Sequence, residues 1–137
     1  MAGEVYRLVA VDLDGTALDD AHKLTSSTIE ALTELRANGV IVCIATGRSL
    51  ASVQEYVRLL QWRDVPAVCY NGAFGFKVSF DAPFKLLFSA PLSIETTRLL
   101  LQLASDLNLV AQYYHGETGE VYCRHPGNDV QKTLINR

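Results

Sequence analysis

The stretch from Arg7 to Leu18, RLVAVDLDGTAL, decides how the rest of the chain is read. Its run Leu8-Val9-Ala10-Val11 does not alternate polar with apolar residues, the pattern of a strand buried on both faces in a parallel sheet covered by helices. The run stops at an acid. Asp12 and Asp14 stand two apart with Gly15 next, so two carboxylates converge just beyond the carboxyl end of the strand, the edge of an open α/β sheet where ligands sit. Both supply hard oxygen ligands of the kind Mg²⁺ prefers, one can attack an electrophile, and the other can carry a proton to a leaving group. A carboxylate approaching a phosphate dianion is opposed by about 4 kcal/mol per pair of unit charges at roughly 4 Å in an effective dielectric near about 20, and Mg²⁺ reverses that sign. Gly15 lets the backbone bend close to a ligand, and Thr16 offers a hydroxyl and an N–H. An acidic turn that merely ends a buried strand has the same letters, so the neighbouring segments decide.

Downstream, LTSSTIEALTELRANG repeats Ile29, Leu32 and Leu35 at helical spacing. Two starts compete: Thr25 as N-cap sets Leu24 against Ile29, whereas Ser27 with Glu30 makes a capping box. Gly39 ends the helix and a second apolar run, Val40 to Ile44, follows at once. This is a βαβ unit, so its two strands are expected to be parallel. The second strand ends in Ala45-Thr46-Gly47-Arg48 before a helical stretch, SLASVQEYVRLLQW, with Leu50, Val53, Val57 and Leu60 on one face. A hydroxyl, a flexible glycine and free N–H groups at a helix start make an anion site. Thr46 then holds a phosphate oxygen beside Gly47, against the alternative that Thr-Gly is a simple helix cap, and Arg48 is a phosphate ligand, a solvated side chain or an ion-pair partner. After Asp64-Val65-Pro66 a third run, Ala67 to Tyr70, ends in Asn71-Gly72. Parallel strands bring all three tips to the same edge of the sheet.

From Phe74 the pattern changes. Phe74 to Phe80 and Phe84 to Ser89 are expected to form a hairpin across Asp81-Ala82-Pro83. Ser93 then caps a helix, IETTRLLLQLASDLN, whose leucines 99, 100, 101, 103 and 107 cover more than one face and imply burial on a sheet. Strands at 109–114 and 121–124 follow, joined by the turn Gly116-Glu117-Thr118-Gly119, and DVQKTLINR begins an amphipathic element. The expected division is 1–83 and 84–137, with the boundary somewhere from 80 to 92.

With 137 residues and 49% hydrophobic content the chain can build a real core. A net charge of −3 and a pI near 5.5 exclude a basic field for nucleic acid. No apolar stretch reaches membrane-spanning length and MAGEVYRL lacks a signal layout, so a cytoplasmic location is expected. The three cysteines, Cys43, Cys69 and Cys123, lie in apolar runs without C-x-x-C spacing and are expected to be buried thiols. His22, His115 and His125 show no ligand spacing.

The three loops, in the order VDLDGTAL, IATGRS and YNGA, resemble the haloacid dehalogenase superfamily of phosphohydrolases, and most of all its Cof-like branch, which acts on sugar phosphates and other small phosphorylated metabolites. The resemblance is close over roughly the first 75 residues and looser over the next 60. It implies a Rossmann-like parallel core sheet, present in part, followed by the beginning of an inserted α/β cap domain. It also implies Asp12 as the nucleophile that forms an aspartyl phosphate and Asp14 as general acid and then base. Mg²⁺ would be held by the Asp12 carboxylate and the Asp14 carbonyl oxygen, and the phosphoryl group by Thr46, with Asn71 and Gly72 nearby. The family's later lysine and its acidic G-D-x-x-N-D cluster have no counterpart in these residues, and Lys132 stands in the wrong context. The expectation is therefore the N-terminal part of a longer enzyme, inactive alone, with a sheet edge open to self-association. The rival reading is a non-catalytic module that binds Mg²⁺ or phosphate weakly. A P-type ATPase would carry lysine where Leu13 stands, a receiver domain would carry its acceptor near Asn71, and a dinucleotide site would need G-x-G-x-x-G after the first strand.

Overall fold

The structure, a computed structural model, describes residues 6–115, 120–124 and 131–133. It divides into two units, 1–89 and 90–137. The first unit is a five-stranded sheet in the order β1-β2-β3-β4-β5, formed by β1 (Leu8–Val11), β2 (Ile41–Ala45), β3 (Val65–Cys69), β4 (Phe74–Ser79) and β5 (Ala82–Ser89). β1, β2 and β3 run parallel, with Val11 opposite Ile44 and Ala45 opposite Val68, and β4 and β5 are antiparallel additions. The fold is mixed α/β with the parallel core that the loop order implies.

Helix α1 (Ser26–Ala37) starts at Thr25, whose side chain accepts from the Thr28 N–H, so the first of the two competing starts wins. Helix α2 (Leu50–Leu59) stops short of the expected Trp62, after which Gln61 and Asp64 take left-handed backbone angles to turn the chain into β3. Leu32 of α1 and Leu50, Val53 and Val57 of α2 share one core with β2, β3 and β4. Consecutive side chains of a strand point to opposite faces, and Val42, Cys43 and Ile44 are all buried, so β2 is covered on both. β1 is not. It forms the edge of the sheet, where Leu8 is 52% exposed and Val9 and Val11 are only partly covered, because the described residues place no strand on its outer side. The apolar run of β1 was therefore a sound strand signal but a poor burial signal.

The hairpin turns one step earlier than expected. Ala82 and Pro83 belong to β5, which pairs with β4, and the first compact unit ends at Ser89. In the second unit, Ser93 caps α3 (Ile94–Asp106) by accepting from the Thr96 N–H. The leucines of α3 do not find the sheet expected for them: Leu99, Leu100 and Leu103 are 66%, 49% and 53% exposed, since the described residues provide no layer over them. β6 (Ala111–Tyr114), β7 (Val121–Arg124) and β8 (Gln131–Thr133) form an antiparallel sheet in that order, so the amphipathic element expected at the end of the chain is in part a strand. The turn expected at 116–119 and His125 lie outside the described residues.

Candidate active site

The three parallel strands end together. Asp12 follows β1, Thr46 follows β2 and the 70–72 turn follows β3, so the register that pairs Val11 with Ile44 and Ala45 with Val68 brings these tips to one edge. After Asp12 the chain makes a π-type turn over residues 13–17: the Ala17 and Leu18 N–H groups donate to the Asp12 and Leu13 carbonyl oxygens at 3.2 and 2.9 Å. The turn is possible because Gly15 takes φ +70°, a left-handed angle that a residue with a Cβ adopts only at a cost. Leu13 and Ala17 anchor it in the core, leaving Asp12, Asp14 and Thr16 exposed. Among the described residues no side chain hydrogen-bonds to the Asp12 carboxylate, so its oxygens face outward uncommitted.

The 46–48 loop and the 70–72 turn are stitched to each other. The Thr46 N–H donates to the Val68 carbonyl at 2.9 Å, Tyr70 N–H to the Arg48 carbonyl at 3.1 Å, and Asn71 N–H to the Thr46 carbonyl at 3.4 Å. Thr46 is buried, and its Oγ1 accepts from the Arg48 N–H at 3.2 Å. Tyr70 and Asn71 both stand at φ +54°, a conformation that a bulky tyrosine holds only when its surroundings impose it, and Gly72 follows at φ +98°. Gly47 makes the fit possible, because a Cβ there would lie 2.7 Å from Asn71 Oδ1. The start of α2 differs from the open anion site that its sequence suggests: Ser49 is the N-cap and accepts from the Ser52 N–H at 3.4 Å, and the Leu50 N–H donates to the Tyr70 hydroxyl at 3.2 Å. Two of the helix's leading donors are thus already committed.

Arg48 belongs to Asp14. Its Nε and Nη2 donate to Asp14 Oδ2 and Oδ1 at 2.7 and 2.5 Å, a bidentate pair in which the arginine is nearly covered and the aspartate about half exposed. The guanidinium holds the Asp14 carboxyl below the usual carboxylate range, chiefly through these hydrogen bonds and against the opposing effect of burial. Three further groups meet there that the sequence did not single out. His22 Nδ1, carried by the 19–23 turn, is 3.0 Å from Arg48 Nη2 and 3.2 Å from Asp14 Oδ1. Ser52 Oγ and Tyr56 Oη each accept from Arg48 Nη1 at 3.2 Å. Ser52 and Tyr56 follow Arg48 by four and eight residues, the spacing of one helix face, and that was the signal that could have found them. His22 had none, because it sits in a polar connection.

The donor set available to Mg²⁺ is Asp12's free carboxylate and the Asp14 backbone carbonyl, both hard oxygens of a suitable kind. No group of three or more His, Cys, Asp or Glu that could hold a metal stands together among the described residues.

A strand-tip carboxylate and a glycine-turned acidic loop stand beside a buried threonine, and residues 9–136 match the model of the haloacid dehalogenase-like hydrolases, so the chain belongs to that family. It is 31% identical over 118 residues to the 5-amino-6-(5-phospho-D-ribitylamino)uracil phosphatase YitU of Bacillus subtilis, and 30% identical over 128 residues to the pyridoxal phosphate phosphatase YbhA of Escherichia coli. These matches cover 80% and 93% of this chain but 43% and 44% of the relatives, so the chain spans less than half their length. A solved haloacid dehalogenase-like hydrolase from B. subtilis superposes with a TM-score of 0.72 at 22% identity, covering 90% of this chain and 40% of that one, and so shares the fold. The family to which the loop motifs pointed is the family found.

Proposed function

We propose that these residues form the nucleophile-bearing part of a Mg²⁺-dependent phosphatase of small phosphorylated metabolites, of the sugar-phosphate type, working through an aspartyl phosphate. The observation that carries the reading is the convergence of Asp12, Thr46 and the Asn71 turn on one edge of a parallel sheet. An Asp12 oxygen attacks phosphorus as the bond to the ester oxygen breaks, and the departing oxygen takes a proton from Asp14. Water then attacks the aspartyl phosphate and gives its proton back to Asp14, releasing inorganic phosphate and restoring Asp12. The Arg48 pair favours the ionised, proton-accepting form of Asp14. An arriving phosphate dianion raises Asp14's proton affinity by like-charge repulsion and so prepares the donating form. Thr46, Gly47, Asn71 and Gly72 line the place of the phosphoryl group. The Asp12 carboxylate and the Asp14 carbonyl would hold Mg²⁺, which would supply the charge that lets two anions meet.

Relatives named for two different phosphorylated compounds each match 80% or more of the chain, which favours a shared phosphate-handling apparatus over a shared substrate site. Residues 84–137 are read as part of a cap domain. The second reading, a non-catalytic module that binds Mg²⁺ or phosphate weakly, draws on the small metal donor set, and on that ground the 137 residues alone are expected not to turn over. No helix among the described residues is long and apolar enough to cross a membrane, and a cytoplasmic location is proposed. The test is hydrolysis of an aryl phosphate with Mg²⁺ by the full-length protein and by its Asp12→Asn variant. Activity that survives the substitution overturns the nucleophile assignment, and ordinary turnover by the 137 residues alone overturns the expected inactivity.

A further inference from the structure

Arg48 and His22, from two separate segments, touch the Asp14 carboxylate, and Tyr56 from a third meets both of them. The Tyr56 hydroxyl accepts from Arg48 Nη1 at 3.2 Å and donates to the His22 carbonyl oxygen at 3.1 Å. The Arg48 guanidinium also lies over the Tyr56 ring, 5.7 Å from its centroid. The 19–23 turn that carries His22 is itself tight: Asp19 Oδ1 accepts from the Ala21 and Lys23 N–H groups at 2.9 and 2.8 Å, and the Asp19 N–H donates to the Lys23 carbonyl at 2.9 Å. Tyr56 thus ties α2, which is anchored in the core by Val53 and Val57, to the two groups that touch the Asp14 carboxylate.

We propose that Tyr56, assisted by Ser52, is a positioning residue that sets where Asp14 delivers its proton, acting through Arg48 and the His22 turn. This rests on the reading of Asp14 as the proton carrier. Arg48 has rotatable bonds along its length, and two acceptors on its Nη1 restrict it to one orientation, so its opposite edge presents Nε and Nη2 to both Asp14 oxygens at once. Without the tyrosine hydroxyl one brace is gone and the His22 carbonyl loses its donor. Asp14 then samples more positions, and proton delivery suffers while phosphate capture at the Thr46 loop does not.

The consequence can be separated from a loss of folding by changing the leaving group. 4-Nitrophenolate departs without a proton, whereas phenolate from phenyl phosphate needs one. In the full-length protein, Tyr56→Phe should lower kcat/KM for phenyl phosphate about 10-fold, part of the 10²–10⁴ that positioned acid–base groups typically supply, and that for 4-nitrophenyl phosphate about twofold or less. Ser52→Ala should act in the same direction more weakly, and it carries the test if Tyr56→Phe does not fold. Equal losses on the two esters, or no loss on either, overturn the positioning role while leaving the phosphatase reading intact. If Asp12→Asn still hydrolyses both esters, or the wild type hydrolyses neither, the phosphatase reading itself falls.

Discussion

The Arg48 and Asp14 pair is measurable by a double-mutant cycle of Arg48→Met and Asp14→Asn, read as urea unfolding of the chain. Its two hydrogen bonds of 2.5 and 2.7 Å are charge-assisted, with the arginine side chain 12% exposed and the aspartate 47%. The covered arginine and the bidentate geometry argue for more than an ordinary surface pair, and the half-wet aspartate argues against the full Coulomb energy, so the coupling should be about 1 kcal/mol. With a urea m-value of about 2 kcal/mol/M, that is a midpoint difference of about 0.5 M. The sign with pH follows from the depressed carboxyl. Because Arg48 holds Asp14 below its usual 3.8, the coupling is fully present well above that value and is lost as pH falls through the lower folded-state value. The contacts of Arg48 with Ser52 and Tyr56 involve neutral hydroxyls, so part of the single-mutant cost persists in acid and only the cycle isolates the ionic part. A coupling near zero at about pH 7, or one that is unchanged at about pH 2.5, would refute the pairing and return Arg48 to the role of a free phosphate ligand.

Gly47→Ala should force Asn71 off its place, since the new Cβ would stand 2.7 Å from Oδ1; phosphatase activity of the full-length protein should fall about 10-fold while the urea midpoint moves little, because Asn71 is exposed and can swing away. Phe76→Ala should cost about 3–5 kcal/mol in urea unfolding, as the ring is fully buried with Phe74 and Phe84 rings at 6.0 and 5.5 Å. Burial pushes the Cys69 thiol up to about 12 and raises Cys43 as well, so a thiol reagent at mildly alkaline pH should label Cys123 first and the other two only on unfolding.

The loops were legible because each couples a local signal to a chain-wide one. Asp12, Thr46 and Asn71 each end an apolar run of strand length, and once two runs are joined by a capped helix their parallel pairing follows from connection length alone. The cap at Ser93 was local in the same sense, set by a hydroxyl three residues ahead of an N–H, whereas Thr25 and Ser27 competed until the fold chose Thr25. What the chain's own letters could not carry was anything decided by a neighbour far away in sequence. The apolar run of β1 states that its residues tolerate burial, but exposure depends on which strand or helix lies beside it, and β1 proved to be an edge. The turn at 81 and the boundary at 89 depended on how far β5 could go on pairing with β4. Arg48 offered three roles, phosphate ligand, solvated side chain or ion-pair partner, that its sequence context did not separate. The choice fell to Asp14, 34 residues earlier, and to the Tyr56 and His22 contacts that only packing of α2 against the 19–23 turn could assemble. Strand periodicity and capping are written in adjacent residues, whereas the charge environment of a carboxylate is set by whatever the fold brings within a few ångströms of it.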